Sequence, residues 1–307
     1  MIHSSLVSRI QIAPQGPEFS RIVLGLWRLA DWRMSPQERV TFLKQALELG
    51  ITTIDQADIY GDYQSETLLG EALQLAPELR DKLQFVSKCG IKLISTARPA
   101  HRIQHYDTSR AHIIASAENS LRSMRIEQLD VLLIHRPDPL MNADEMAEAF
   151  EHLQQSGKVR YFGVSNFTPA QFELLAARFP LVTNQVELSL LHLPPLHDGT
   201  LDLCQKLRIA PMIWSALGGG DLFRESATTD PQVLRVREVL NALSAELNLP
   251  ASTIALSWIL QHPSHPLVLT GSGRIAALKE AALACQHTLS REHWFRLWCA
   301  SAGKGVD

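Results

Sequence analysis

Short apolar runs recur along the whole chain, separated by longer segments whose apolar residues follow a helical period. Most of the runs are continuous and lack the alternation of a half-exposed strand, which is typical of parallel strands buried on both faces. The eight runs are Arg21–Trp27, Thr52–Ala57, Leu83–Cys89, Leu129–Arg136, Arg160–Asn166, Leu181–Leu188, Ala210–Ala216 and Pro266–Gly271. The pattern therefore predicts eight buried strands with helices between them.

The segments between the runs carry helix start and stop signals. Ser35–Glu38 reads Ser-Pro-Gln-Glu, a capping box with proline at the first helical position, and Thr168–Gln171 repeats the signal. Asp230–Pro231 and Ser290 predict two further helix starts, and Gly50 is a plausible stop for the first helix. Strand and helix therefore alternate from one end of the chain to the other.

About eight such units of roughly thirty residues favour a closed (β/α)8 TIM barrel. We predict that residues 1–307 form a single barrel domain, with an N-terminal hairpin or loop at Ile10–Phe19 and an extra helix at the C-terminus. An open doubly wound sheet is the alternative. Against it, no G-x-G-x-x-G follows the first strand, and no change of composition marks a second domain.

The bulk composition narrows the classes of partner. The 307 residues are 46% hydrophobic with a formal net charge of -3, so a large core is possible and no basic stripe suggests nucleic acid. No apolar run approaches the length of a membrane span, and Met1–Ser4 does not open a secretory signal. The cysteines are widely spaced, which argues against a disulfide framework and for a cytoplasmic location. They are Cys89, Cys204, Cys285 and Cys299.

Four polar side chains lie at the carboxyl ends of three consecutive predicted strands. Asp55, Tyr60, Lys88 and His135 would face one cavity in a barrel, where chemistry belongs to that end. Tyrosine has an ordinary pKa of about 10, so a useful acid needs a nearby cation, which Lys88 held by Asp55 can supply. His135 can orient a substrate oxygen. Each residue singly has an ordinary structural reading, but together they favour a catalytic site.

A second group of polar residues follows the fifth and sixth predicted strands. Ser165 and Asn166 end the fifth strand, and Gln185 has a similar place on the sixth. Amide side chains pair with other amides, so these residues suit a ligand that carries a carboxamide. The alternative is the turn and cap chemistry that serine and asparagine often supply.

The last two predicted strands are followed by glycine-rich loops. Trp214 could stack on a flat ring, and the loop after it allows backbone N–H groups to approach a phosphate. That loop comprises Ser215, Ala216, Leu217, Gly218, Gly219 and Gly220. The loop after the eighth strand comprises Gly271, Ser272, Gly273 and Arg274, where the arginine and a helix start could bind an anion. A flexible loop and a surface charge are the alternatives.

A metal-dependent enzyme is the least supported chemistry. Only His135 and Asp55 are candidate ligands at strand ends, so we expect no metal. His101 and His105 are interpreted as loop residues near the cavity mouth.

Several motifs in order resemble the aldo-keto reductase superfamily, from about Arg21 to the 280s. The most similar members are bacterial reductases with His-Arg-Pro-Asp-Pro after the fourth strand, here His135–Pro139. The other matching motifs are Ile54–Gly61, Ser65–Glu66, Leu69–Gly70, Ser87–Lys88, Ile134–His135, Gly157–Arg160, Gly163–Phe167 and Asn184–Glu187.

The resemblance implies a barrel that binds NADPH without a dinucleotide-binding fold. Tyr60 would be the proton donor, Lys88 and Asp55 would tune it, and His135 would orient the carbonyl. The implied cofactor contacts are Gly25, Leu26, Trp27, Ser165, Asn166, Gln185, Trp214, Ser215, Leu217, Gly218, Gly219, Gly220, Gly271, Ser272, Gly273, Arg274 and Glu280.

Two positions depart from what the family often has. Ala277 and Ala281 stand where an arginine and an asparagine often contact the adenosine end, which leaves NADH possible beside NADPH. Arg274 is a candidate substitute for the arginine.

The resemblance implies a monomeric NADPH-dependent enzyme that reduces small aldehydes or ketones to alcohols. The alternative is an NADPH-binding regulatory or redox-sensing subunit with little turnover. The four polar residues do not separate these readings, because such subunits keep them.

Overall fold

Eight parallel strands close into a barrel in the computed structural model, which describes residues 6–224 and 229–307. The strands of the chain are β1 (Arg9–Gln11), β2 (Glu18–Ser20), β3 (Ile22–Gly25), β4 (Thr53–Asp55), β5 (Gln84–Cys89), β6 (Ile91–Lys92), β7 (His105–Tyr106), β8 (Leu129–Ile134), β9 (Val159–Ser165), β10 (Asn184–Glu187), β11 (Met212–Trp214) and β12 (Leu267–Thr270). Around the barrel the order is β3-β4-β5-β8-β9-β10-β11-β12, and β12 pairs with β3. The predicted (β/α)8 fold is confirmed, while the expectation about Met1–Ser4 lies outside the described residues.

Helices surround the barrel and follow its strands in turn. They are α1 (Pro36–Glu48), α2 (Tyr60–Tyr63), α3 (Ser65–Leu75), α4 (Arg110–Met124), α5 (Ala143–Gln155), α6 (Pro169–Ala176), α7 (Thr200–Leu207), α8 (Pro231–Leu247), α9 (Ala251–Leu260), α10 (Ile275–Ala284) and α11 (Arg291–Ala302). None of the helices described is both long enough and apolar enough to cross a bilayer.

The predicted helix starts are present as capping hydrogen bonds. At α1 the Ser35 hydroxyl accepts from the Glu38 N–H, and the Glu38 carboxylate accepts from the Ser35 N–H, at 3.3 and 2.7 Å. Thr168 and Gln171 form the same reciprocal pair at α6. These bonds satisfy N–H groups that have no partner inside the helix, so the local sequence determines where each helix begins.

The N-terminal hairpin covers one end of the barrel. Strands β1 and β2 are antiparallel, with Ile10 opposite Phe19. Phe19 and Ile12 are fully buried, and the Ala210 N–H donates to the Ile12 carbonyl at 2.7 Å. Ala210 precedes β11, so the hairpin closes the amino ends of the strands. The carboxyl ends are left open for a site.

Two helices, α8 and α11, lie outside the ring of barrel helices and pack on each other. Gln232 and Arg235 of α8 donate to carbonyl groups of Ser301 and Ala300 in α11. The predicted extra C-terminal helix is therefore present. The sequence pattern did not separate α8 from α9, because both carry apolar faces and only a short link divides them.

Seven of the eight barrel strands end earlier than the apolar runs predicted, and β5 ends at Cys89 as predicted. The run Thr52–Ala57 contains β4, which stops at Asp55, although Gln56 and Ala57 are also buried. Burial continues into the loops after the strands, so apolar character alone overestimates strand length. The small sheet of β6 and β7 was not predicted, because two-residue strands leave no pattern.

Candidate active site

Lys88 is the centre of the polar cluster at the carboxyl ends of the strands. Its ammonium donates to Asp55 Oδ2 at 2.7 Å, to the Gln56 carbonyl at 2.8 Å and to the Tyr60 hydroxyl oxygen at 3.0 Å. An ammonium group has three N–H donors, so these bonds use all of them. The Lys88 side chain is fully buried, and its position is therefore fixed by these three acceptors.

Asp55 accepts hydrogen bonds on both carboxylate oxygens. Oδ2 takes the bond from Lys88, and Oδ1 takes one from Gln185 Nε2 at 2.8 Å. Burial alone would lower the pKa of Lys88, but the Asp55 carboxylate and the Tyr60 hydroxyl raise it above its ordinary value. Lys88 is therefore charged, and it forms a buried salt bridge with Asp55 at 2.7 Å.

Tyr60 follows β4 and begins the short helix α2. Its hydroxyl oxygen accepts from Lys88, so its own proton stays available for another acceptor. Burial raises the pKa of Tyr60 above its ordinary value, although the Lys88 charge opposes this. Asp55 neutralises part of that charge, which is why burial dominates. The Tyr60 hydroxyl is therefore protonated near neutral pH and does not ionise by itself.

His135 directly follows β8, and its ring lies 5.8 Å from the Tyr60 ring, edge to face. Burial, with the positive charges of Lys88 and Arg136, holds the pKa of His135 well below its ordinary range. The imidazole is therefore neutral. Its Nδ1 atom is buried and has no hydrogen-bond partner. A neutral ring of this kind can donate one N–H bond to a substrate oxygen.

The predicted carboxamide group forms one connected cluster. Asn166 has a left-handed backbone with φ of 61° and donates to the Ser165 hydroxyl at 2.7 Å. Ser165 donates in turn to the Gln185 carbonyl at 2.9 Å. The Trp214 indole N–H donates to Asn166 Oδ1 at 3.0 Å. The fold therefore brings all four residues together beside the tetrad of Asp55, Tyr60, Lys88 and His135.

The end of β3 meets the glycine loop across the barrel mouth. Arg28 donates to the Gly219 carbonyl at 3.4 Å, and its guanidinium lies 5.2 Å from the centre of the Trp27 ring. Gly218, Gly219 and Gly220 all have positive φ, a backbone conformation that is unfavourable for residues with a side chain. Trp27 is exposed at the rim and Gly25 ends β3, whereas Leu26 is 1% exposed and packs in the core.

The loop after β12 leads directly into α10. Arg274 is the N-cap residue, and the helix start has no side-chain cap. Ser272 accepts from the Arg274 N–H at 3.3 Å, and a Cβ on Gly273 would lie 2.8 Å from the Trp32 ring. Uncapped N–H groups beside an arginine suit a phosphate.

Residues further along α10 point elsewhere. The Glu280 carboxylate accepts a hydrogen bond from Ser252 of α9, and the Glu280 carbonyl accepts one from Thr253 at 2.9 Å. Ala281 is 1% exposed, so it does not line the cavity mouth. The structure therefore does not bring Glu280 and Ala281 to the tetrad.

Arg136 also belongs to the site, although in the sequence it stands out only as part of the His135–Pro139 motif. Its guanidinium lies 5.5 Å from the centre of the Trp214 ring. Its positive charge also acts to lower the pKa of Tyr60 and the pKa of His135. Its place directly after His135 at a strand end was the signal that could have identified it.

Two buried carboxylates behind the tetrad were also missed. Asp58 accepts from the Ser116 hydroxyl at 2.6 Å, and Glu66 accepts from the Ser87 hydroxyl at 2.6 Å. Burial raises the pKa of Asp58 to about 7 and raises that of Glu66 as well. No sequence pattern reveals this burial, since Asp58 lies in the turn before α2 and Glu66 lies in the first turn of α3.

No group of three or more metal-binding side chains lies together within residues 6–224 and 229–307. His101 lies between β6 and β7 and His105 begins β7, and their ring centres are 5.9 Å apart in an edge-to-face arrangement.

Comparison with known proteins places the whole chain among reductases. The family described as the aldo/keto reductase family matches residues 21–298. The "Oxidoreductase YdhF" of Escherichia coli is 54% identical over 98% of this chain and 100% of its own length. The "6-dehydroglucose reductase" of Agrobacterium fabrum is 42% identical over 94% of this chain and 96% of its own.

A solved structure extends the likeness to the fold. An aldo/keto reductase from Klebsiella pneumoniae, in complex with NADP and acetate, has a TM-score of 0.75 and 25% sequence identity, and the match covers 94% of each chain. The resemblance that the motifs indicated is confirmed.

Proposed function

Because the chain belongs to the aldo/keto reductase family, and so is an NAD(P)H-dependent oxidoreductase, we propose that it reduces aldehydes or ketones to alcohols with NADPH. The observation that carries this proposal is the position of Lys88. All three of its donors are occupied, and one of them holds the Tyr60 oxygen so that the tyrosine proton points to another acceptor.

The proposed proton donor is Tyr60. When a nicotinamide is bound it supplies a hydride to the carbonyl carbon, and the electron pair of the C=O bond then moves to the oxygen. An alkoxide is a much stronger base than a phenolate, so the buried Tyr60 hydroxyl gives up its proton only as that charge develops. The Lys88 ammonium then stabilises the resulting phenolate at 3.0 Å.

His135 and Tyr60 together would fix the carbonyl. The imidazole is neutral, so it can donate a hydrogen bond to the carbonyl oxygen without competing as a stronger acid. The edge-to-face contact of the two rings directs both groups to one small region of the cavity. Two donors aimed at one oxygen favour the geometry in which negative charge develops there.

The residues that fit the cofactor lie on both sides of this region. We propose that Ser165, Asn166 and Gln185 hold the carboxamide and that Trp214 stacks on the ring. The left-handed backbone of Gly218–Gly220 and the uncapped start of α10 suit the phosphates. Gln185 also donates a hydrogen bond to Asp55, so the same side chain would contact the cofactor and support the salt bridge of Asp55 with Lys88.

The test is the substitution Tyr60→Phe. We expect turnover of an aldehyde to fall by about 10²- to 10⁴-fold, because the general acid is lost, with NADPH affinity unchanged. Steady-state kinetics and fluorescence titration with NADPH measure the two effects. Tyr161→Phe is the control, since no hydrogen bond of the Tyr161 hydroxyl is present in the described structure.

Equal activity in Tyr60→Phe would remove the proposed mechanism. Tight NADPH binding by the unaltered protein, with no turnover across a panel of aldehydes and ketones, would favour a regulatory subunit instead.

We also propose that the protein is a cytoplasmic monomer. Light scattering that gives the mass of more than one chain would contradict the monomer.

A further inference from the structure

Arg136 lies at the mouth of the proposed active site. It directly follows His135, its guanidinium lies 5.5 Å from the centre of the Trp214 ring, and the residue is partly exposed. Within residues 6–224 and 229–307, no carboxylate lies within 4.0 Å of it, and it donates no hydrogen bond. A guanidinium has five N–H donors in a rigid fork, so an arginine held at a cavity without acceptors is prepared for an incoming anion.

The acidic groups closest along the chain and in the tetrad are already in use. Asp138, two residues from Arg136, accepts from the Thr108 hydroxyl at 3.1 Å and from the Leu140 N–H at 2.8 Å. Asp55 is held by Lys88 and Gln185. Neither carboxylate can therefore move to Arg136 without leaving its own partners unsatisfied.

Among the tetrad and Arg136, one positive charge has no partner within residues 6–224 and 229–307. Lys88 and Asp55 form a neutral pair, and Tyr60 and His135 are both uncharged. Arg136 is therefore the uncompensated charge, and it acts on the same region into which the Tyr60 hydroxyl and His135 ring project. A bound anion would balance it.

We propose that Arg136 selects carbonyl substrates that carry a carboxylate one or two bonds from the carbonyl carbon, such as 2-oxo acids. This inference rests on the proposed reductase function and names its substrate class. The carboxylate would accept two parallel hydrogen bonds from the edge of the Arg136 guanidinium, while the Trp214 ring lies against a face of the same guanidinium.

The reaction itself is unchanged by this assignment. A hydride from NADPH and a proton from Tyr60 add across the C=O bond, so a 2-oxo acid becomes a 2-hydroxy acid and NADPH becomes NADP⁺. The carboxylate takes no part in bond making, and Arg136 only holds it. Arg136 is thus a specificity residue and not the proton donor.

The experiment compares two substrates with and without a carboxylate at this position. Benzoylformate carries the carboxylate, and methyl benzoylformate is its neutral ester. For Arg136→Met we expect kcat/KM to fall about 10- to 100-fold further with the acid than with the ester, mainly through KM. Arg136→Lys should recover part of the loss, because an ammonium keeps the charge but lacks the fork.

The ester separates specificity from an effect on the chemistry. Removing the Arg136 charge also changes the electrostatics of Tyr60 and His135, but that change would lower kcat/KM for both substrates equally. Arg296→Met is the matched control, since Arg296 pairs with Glu246 on the outer helices at 2.9 Å. It should leave both substrates unaffected.

The outcomes separate the inference from the function on which it rests. An equal loss for acid and ester in Arg136→Met, or no loss for the acid, would overturn the role of Arg136 while leaving carbonyl reduction intact. The same holds if the unaltered protein reduces the ester but not the acid. Failure of the unaltered protein with both substrates and with neutral aldehydes would overturn the reductase function itself.

Discussion

Individual residues of this site depend on shared hydrogen bonds. Lys88 holds Asp55, the Gln56 carbonyl and Tyr60 at once, and Asp55 also holds Gln185. A change in any one of them alters the protonation of the others, because each bond lies in a buried region of low polarity. Functional positions in the tetrad are therefore electrostatically coupled, as the opposing influences of Lys88 and Asp55 on the pKa of Tyr60 show.

Asp58 contributes a pH dependence of stability that is opposite in sign to that of His135. Burial raises its pKa to about 7, against an ordinary value near 4 in an unfolded chain. Between these values the folded protein binds more protons than the unfolded one. Stability therefore falls as pH rises through this window, by roughly 4 kcal/mol at most, and levels off above it.

We predict that Asp58→Asn reduces this dependence. The amide has no charge to desolvate, so the variant should lose less stability than the unaltered protein between pH 5 and pH 8. Urea unfolding at the two pH values measures the difference. Asp144→Asn is the control, since the Asp144 carboxylate is exposed and pairs with Arg178 at 3.1 Å. Identical pH dependence in Asp58→Asn and the unaltered protein would contradict the assignment.

Two features of the helices and strands position the site. The capping boxes at α1 and α6 determine the helix starts through local hydrogen bonds. The parallel register of β4 and β5 pairs Asp55 with Val86, and Lys88 lies two residues further on the same face of β5. This register, rather than sequence spacing, brings the ammonium to the carboxylate.

The packing of α3 on α4 depends on the absence of a side chain at Gly70. A Cβ there would fall on the Ser123 carbonyl oxygen and lie 3.1 Å from the Met124 backbone. Those atoms are backbone and have no flexible end to move, so the two helices would have to separate.

We therefore predict that Gly70→Ala destabilises the protein by roughly 1–3 kcal/mol, despite the better helix propensity of alanine. The change in urea midpoint measures this. Gly305→Ala is the comparison, since no atom lies within 4 Å of its Cβ position. A Gly70→Ala variant as stable as Gly305→Ala would show that α3 and α4 have room to adjust.

At the scale of the whole molecule, cofactor binding is coupled to folding. A ligand that binds only the folded state stabilises it by about 2.7 kcal/mol at one hundred times its Kd. The proposed contacts come from loops after several strands, so NADPH should tie distant parts of the barrel together. Its thermal shift is thus a direct measure of affinity for the assembled site.

We predict that NADPH raises the melting temperature more than NADH does at equal concentration, and that Arg274→Ala removes this difference. The Arg274 side chain makes no ion pair with the described residues, so it is free to bind the extra phosphate. Differential scanning fluorimetry gives the shifts, and Arg291→Ala at the start of α11 is the control. If NADPH and NADH shift the unaltered protein equally, Arg274 does not select the cofactor.

The succession of strands and helices follows from local sequence, which also identifies the four members of the tetrad as candidates. Burial on both strand faces produces continuous apolar runs, and caps are hydrogen bonds between near neighbours, so both are visible in local sequence. The motif resemblance also identified the family correctly.

How these groups are bonded depends on the tertiary structure. It places Gln185 on Asp55, turns Glu280 to Ser252 and puts Arg136 beside Trp214 with no ionic partner among the described residues. These facts depend on strand register and barrel closure, which join residues as far apart in the sequence as Asp55 and Gln185 or Ile22 and Val268. Long-range pairing of this kind leaves no local pattern.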